Sequence, residues 1–162
     1  MNLVGCGLFA ALLLAAGSAG AQQCVRPAER AAFDATGLKT QLMITALTCD
    51  VRDKYNAFVR RFQPDLMVQE RTLQAYFSRS FGARGQQRHD DYITGLANVQ
   101  SQQGLRDGTL FCQRHAALFD EVLALRDGAE LARYAAGKAL IQPSSLPACA
   151  PVTRTAQARG GR

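Results

Sequence analysis

Residues Leu38 to Phe62, LKTQLMITALTCDVRDKYNAFVRRF, carry the clearest helical periodicity in the chain, with a cysteine at their centre. Leu38, Leu42, Thr45 or Ala46, and Cys49 recur at three- and four-residue steps, and Tyr55, Phe58, Val59 and Phe62 continue the spacing. Steps of that size line one side of an α-helix with apolar groups, while Arg52, Asp53, Lys54, Arg60 and Arg61 fall on the other. The stretch predicts an amphipathic helix with Cys49 on its buried stripe as a covalent anchor. Asp50 is available to cap a new start within it.

Working outward, the same period recurs almost throughout. Pro27 suits a first helical turn, and Ala31, Ala32 and Phe33 begin an apolar face that Gly37 is expected to bend or interrupt. Pro64-Asp65 is expected to break the chain and restart it. Leu66, Leu73, Tyr76, Phe77 and Phe81 then mark a third helix, ended by Gly82-Ala83-Arg84-Gly85. A fourth helix is expected from about Gln87 to Gln103, a fifth from Thr109 to Leu125, and a short sixth from Ala129 to Ala136. After Ile141 the run Gln-Pro-Ser-Ser-Leu-Pro-Ala-Cys cannot hold a helix. With no alternating run of strand length, the fold class is all-α, a disulfide-stapled bundle of five to six helices over residues 22–149.

Residues 7–16, GLFAALLLAA, form an apolar run of signal-peptide length, and Gly17 to Ala21 supply small residues ending in an Ala-x-Ala pattern. Cleavage is expected after Ala21, although the n-region holds no Lys or Arg. The run falls short of the roughly 20 residues that span a bilayer, so no transmembrane segment is expected once the leader is gone. Cys6 precedes the apolar run and Cys24 follows two glutamines, so neither has the setting of a lipidated cysteine. The tail from residue 150 is polar and basic and is expected to be disordered.

Four cysteines then remain, Cys24, Cys49, Cys112 and Cys149. An even count in an exported chain reads as two disulfides, and export predicts a periplasmic or secreted protein. Their spacing offers no redox, haem or zinc motif, so no metal and no cofactor is expected. If residues 28–49 are mostly helical, Cys24 and Cys49 lie roughly 30 Å apart, far beyond the reach of one disulfide. Two schemes survive. Cys24 with Cys149 and Cys49 with Cys112 is favoured over Cys24 with Cys112 and Cys49 with Cys149.

The net charge of +6 is carried mostly by arginine, and the tail residues Arg154, Arg159 and Arg162 account for half of it. Such a balance suits anionic partners, a cell-wall polymer or lipid head groups, but an ordinary solvated surface is the favoured reading. Arg52, Lys54, Arg60, Arg61, Arg71, Arg79, Arg84 and Arg88 are interleaved with Tyr55, Phe58, Tyr76 and Phe81. Because those aromatics fall at core spacing, packing is favoured over a stacking platform. Gly82-Ala83-Arg84-Gly85 matches the GxxG loop of nucleic-acid-binding KH domains in four residues only, without the accompanying strands, and no nucleic-acid partner is expected.

Candidate catalytic groups are few. Arg88-His89-Asp90-Asp91 is the sharpest polar cluster, and its ordinary role is helix-start chemistry at the positive end of a dipole. Cys112 and His115 share a helix face, but a disulfide at Cys112 excludes a thiolate–imidazole pair. Glu29, Glu70, Glu121 and Glu130 are the only glutamates, and all fall where exposed helical positions are expected, which is unlike a glycosidase's paired acids.

The patterns Leu42-Met43-x-x-Ala46-Leu47-Thr48-Cys49, Tyr55-Asn56-Ala57-Phe58-Val59-x-x-Phe62, Leu96-Ala97-Asn98 and Phe111-Cys112 resemble a group of small, exported, four-cysteine proteins of alphaproteobacteria. The resemblance spans Leu38 to Leu125. It implies helical periplasmic or secreted proteins and no particular activity. The expected function is therefore that of a non-enzymatic accessory, adaptor or inhibitor acting on an envelope protein through its surface. The alternatives are a small cell-envelope hydrolase using His89 or a carboxylate, and a binder of anionic polymer or lipid. Candidate binding residues are Arg52, Arg60, Arg61, Arg84, Arg88 and His89.

Overall fold

A computed structural model describes residues 23–150. The expected leader over residues 1–21, Cys6, and the tail residues Arg154, Arg159 and Arg162 lie outside the described residues. Within them the chain is all-α and carries two disulfides. The only extended pairing among the described residues is one isolated parallel bridge between Val25 and Ala148.

Helix α1 runs from Pro27 to Thr48, α2 from Arg52 to Phe81 and α3 from Gly85 to Asp107; three short helices follow, α4 (Phe111–His115), α5 (Ala117–Ala124) and α6 (Gly128–Gly137). The boundaries differ from the expected ones, with three long helices taking most of the chain and the breaks falling elsewhere. Gly37 interrupts nothing. It lies inside α1, where a Cβ would come within 3.0 Å of Gln142 Nε2 and 3.4 Å of Leu140 Cδ1, so the missing side chain makes room for the C-terminal segment. Pro64 likewise ends nothing. α2 kinks at Phe62 (φ −106°, ψ 16°) and continues for another five turns, a local answer to a proline that can neither donate to the helix ladder nor clear the preceding turn. The true break falls at Cys49–Val51, inside the stretch read as one helix. Asp50 takes φ +55°, a left-handed value that Asp tolerates better than most residues, and Val51 N–H donates to Ala46 O at 3.0 Å.

The apolar spacing runs on across that break, which only Asp50 signalled in the sequence, because the two helices share one core. Leu38, Leu42 and Ala46 of α1 meet Phe58 and Phe62 of α2, together with Phe119, Val122, Leu131 and Ala135 from α5 and α6. A second core, on the other side of the kink, gathers Ala32, Phe33, Leu73, Tyr76, Phe77, Tyr92 and Leu96 from α1, α2 and α3. Every residue of α1 from Ala32 to Leu42 is buried apart from half-buried Lys39. α1 is thus the axis of the fold, packed on α2, α3 and α6.

Beyond α6, residues 138–149 form a strap that runs back across α1 and α3. Gln100 Nε2 donates to Gly37 O (3.1 Å) and to Ile141 O (3.4 Å), and Tyr92 O–H donates to Gln142 Oε1 (2.8 Å). Val25 N–H donates to Pro147 O (2.8 Å) and Cys149 N–H to Val25 O (3.1 Å). Cys24–Cys149 closes this end at a Cα separation of 4.7 Å, and Cys49–Cys112 the other at 5.6 Å. Of the two schemes open from sequence, this is the one formed.

Replacing either pair by serines is expected to cost about 2–5 kcal/mol in urea unfolding, with the helical circular dichroism retained. At Gly85 a Cβ would lie 2.8 Å from Ser78 Cα, where α2 and α3 pass backbone to backbone. Gly85→Ala should therefore cost about 1–3 kcal/mol, whereas Gly137→Ala, which meets open space, should be near neutral.

Candidate functional site

The buried face of α1 meets α2 and α3 through aromatic rings. Phe33 contacts Tyr76 and Tyr92 edge-on, each at a centroid distance of 5.0 Å, and Phe77 packs on Phe81 and Tyr92 at 5.9 and 5.6 Å. The strap lies beside these rings and borders an open cavity of about 440 Å³. Its floor is Phe33, Tyr76, Phe77 and Tyr92; half-buried Phe81 and Leu146 also line it. The tyrosine hydroxyls are already committed, Tyr92 to Gln142 and Tyr76 to Gln23 O at 3.2 Å. Burial, reinforced by the nearby Asp34 carboxylate, pushes the Tyr92 hydroxyl well above the usual tyrosine range. The floor is accordingly neutral and apolar. Arg88 and Asp91, three residues apart on α3, also line the cavity and are exposed at its mouth.

The segment before α1 is held to α2 by an ion pair that the sequence did not disclose. Glu29 is buried rather than exposed. It accepts Arg26 N–H at 2.8 Å and meets Arg79 Nη2 at 2.9 Å through both carboxylate oxygens, while the same Nη2 reaches Cys24 O at 3.1 Å. Such a pair has its carboxylate and guanidinium well satisfied by hydrogen bonds, which is the condition for a desolvated pair to be tolerated.

His89 is buried at the start of α3, with Nε2 3.0 Å from Glu70 Oε1, Nδ1 3.3 Å from Asp90 Oδ1 and its ring edge-on to Phe77 at 5.6 Å. The Glu70 approach is close in charge but out of line for a hydrogen bond. This trio lies outside the cavity lining. His115 Nε2 contacts Asp107 Oδ2 at 3.1 Å and Arg114 Nη1 contacts Oδ1 at 3.0 Å, which ties the end of α3 to α4. Cys112 is disulfide-bonded, so it supplies no thiolate to His115. Among the described residues no group of three or more His, Cys, Asp or Glu side chains is arranged to hold a metal ion.

The arginine candidates do not form one face. Arg61 Nη2 donates to Leu125 O at 2.6 Å, capping the end of α5, and Lys54 pairs with Asp120 at 2.7 Å. Arg52 and Arg60 are exposed near the start of α2, whereas Arg84 is exposed beyond its far end, roughly 30 Å of helix away from Arg61. Arg88 alone among them borders the cavity. Of the interleaved aromatics, Phe58 and Tyr76 are buried in the two cores.

No family model, curated protein or solved structure matches this chain.

The strap and its cavity were missed in the sequence, where residues 142–149 read only as the end of helical structure. The available signal was the pairing of Pro143 and Pro147 with Cys149, which marks a rigid extended segment tied to a distant cysteine.

Acid lability follows from the carboxylates. Arg126, through its side chain and its backbone N–H, holds the Glu130 carboxyl at about 2, and the hydrogen bond with His115 lowers Asp107. Both pKa values are depressed on folding, so both contributions are complete above the unfolded carboxylate range, roughly pH 4 to 4.5, and fade as pH falls through the folded values. The thermal midpoint is expected to drop as pH is lowered from about 4.5 towards 2, and Glu130→Gln should flatten that dependence.

Proposed function

We propose that this is a non-enzymatic periplasmic or secreted protein that acts by binding, as an accessory, adaptor or inhibitor of an envelope component. The observation that carries this is the separation of His89, Glu70 and Asp90 from the cavity. His89 packs against Phe77 with Glu70 and Asp90 beside it, and the cavity presents aromatic rings together with Gln23, Ser144, Ser145, Arg88 and Asp91. A preformed pocket that joins an aromatic floor to several polar groups suits recognition. The two disulfides support an oxidising address.

Co-purification from the native envelope should recover a partner with the wild-type protein that is lost with the charge reversal Arg88→Glu. Cell-wall glycan and ester lipids should be turned over no faster than by His89→Ala. Turnover that disappears in His89→Ala would instead support the hydrolase.

A second reading, binding of anionic lipid or polymer, is favoured by the outer side of α2 beyond the kink. Pro64, Met67, Val68, Arg71 and Ala75 are all exposed there at helical spacing, with Met67 and Val68 about half exposed. A basic and apolar strip of this kind predicts retention on anionic vesicles that weakens as salt rises and in Arg71→Gln. Equal retention at high salt would remove the electrostatic basis of this reading.

A further inference from the structure

We infer that the cavity under the strap is a site for a small zwitterion with an apolar body, of the class of a free apolar α-amino acid. The inference rests on the binding function proposed above and names its ligand chemistry.

The mouth carries two opposite charges, both on α3. Arg88 Nη1 lies 3.8 Å from Asp91 Oδ2, with the two side chains 46% and 57% exposed. The two form an ion pair longer than a hydrogen bond, so the N–H groups of Arg88 and the oxygens of Asp91 keep hydrogen-bonding capacity for a ligand. Arg88 is also held over the Phe81 ring at 5.8 Å, which keeps its guanidinium beside the apolar wall. A ligand with only a negative charge would meet Asp91 unfavourably, and one with only a positive charge would meet Arg88 unfavourably. A carboxylate and an ammonium on one carbon satisfy both, the carboxylate on Arg88 and the ammonium on Asp91. The apolar body then extends towards Phe81, Leu146 and the buried rings beneath. A volume of about 440 Å³ accommodates one such molecule and accompanying water.

The site is built before any ligand arrives. Its roof lies between Pro143 and Pro147, whose rings restrict the backbone, and is tied down by the Val25–Pro147 hydrogen bond and the Cys24–Cys149 disulfide. A preformed wall removes the cost of ordering a loop on binding.

Calorimetric titration of the oxidised protein with three matched probes tests this. L-phenylalanine carries both charges, N-acetyl-L-phenylalanine only the negative one and L-phenylalaninamide only the positive one. L-phenylalanine should bind about tenfold or more tightly than either analogue. Arg88→Gln should bring L-phenylalanine down to the level of the amide, and Asp91→Asn to the level of the acetylated form. Both substituted positions are exposed, and unchanged circular dichroism checks the fold. Equal binding of either single-charge analogue by the wild type, or no heat from any probe at millimolar concentration, would overturn the inference. A protein that fails this titration yet retains its Arg88-dependent envelope partner would leave the broader binding function standing; histidine-dependent turnover would defeat that function instead.

Discussion

Everything in this fold hangs on a helix fastened at both ends. Cys24 lies just before α1 and Cys49 just after it, and each is bonded to a cysteine far along the chain. α1 has few large apolar residues over its first half; Ala32, Ala35, Thr36, Gly37 and Thr40 are small and buried. Small side chains let neighbouring elements approach closely, but they contribute less apolar area per residue than Leu or Phe. The apolar weight comes from α2, whose kink at Phe62 lets one helix serve two cores, Phe58 and Phe62 on one side and Leu73, Tyr76 and Phe77 on the other. Covalent closure complements this division by limiting the freedom of the unfolded chain.

The same closure makes the cavity. Without the Cys24–Cys149 bond the strap would be held by a bridge at Val25 and a few side-chain contacts from Gln100, Tyr92 and Gln142. With it, the segment from Pro143 to Pro147 stands as a fixed wall opposite α3. The Glu29–Arg79 pair acts in the same direction, since Arg79 also holds Cys24 O and thereby the segment before α1 to α2. Part of the positive charge carried between Arg52 and Arg88 is spent in this way. Arg61 caps α5, Lys54 holds Asp120, and Arg79 is paired inside, leaving Arg88 as the cation beside the cavity.

Much of the fold was legible because burial imposes a period. The apolar residues of all three long helices were assigned to helix from spacing alone, and the length of α1 ruled out a Cys24–Cys49 bond. The breaks were not legible, for two different reasons. Gly37 and Pro64 are strong local signals that tertiary packing overrides, Gly37 by the close approach of Leu140 and Gln142, Pro64 by a kink that keeps both cores filled. Cys49 to Val51 is a weak local signal, since Asp50 in a left-handed conformation leaves the apolar spacing on either side in phase. The cavity was invisible because its walls come from five separated segments. The burial of Glu29 was invisible too, because only the fold brings Arg79 to it across fifty positions of sequence.

The account requires the strap to be as firmly held as the helix it crosses. Native-state hydrogen exchange of the oxidised protein reads this directly at the amides of Val25 and Cys149, which donate to Pro147 O and Val25 O. They are expected to exchange as slowly as buried α1 amides such as those of Leu38 and Leu42, opening only in the global unfolding event. Exchange at the rate of a free loop, while α1 stays protected, would mean that the strap opens on its own and that no preformed cavity exists.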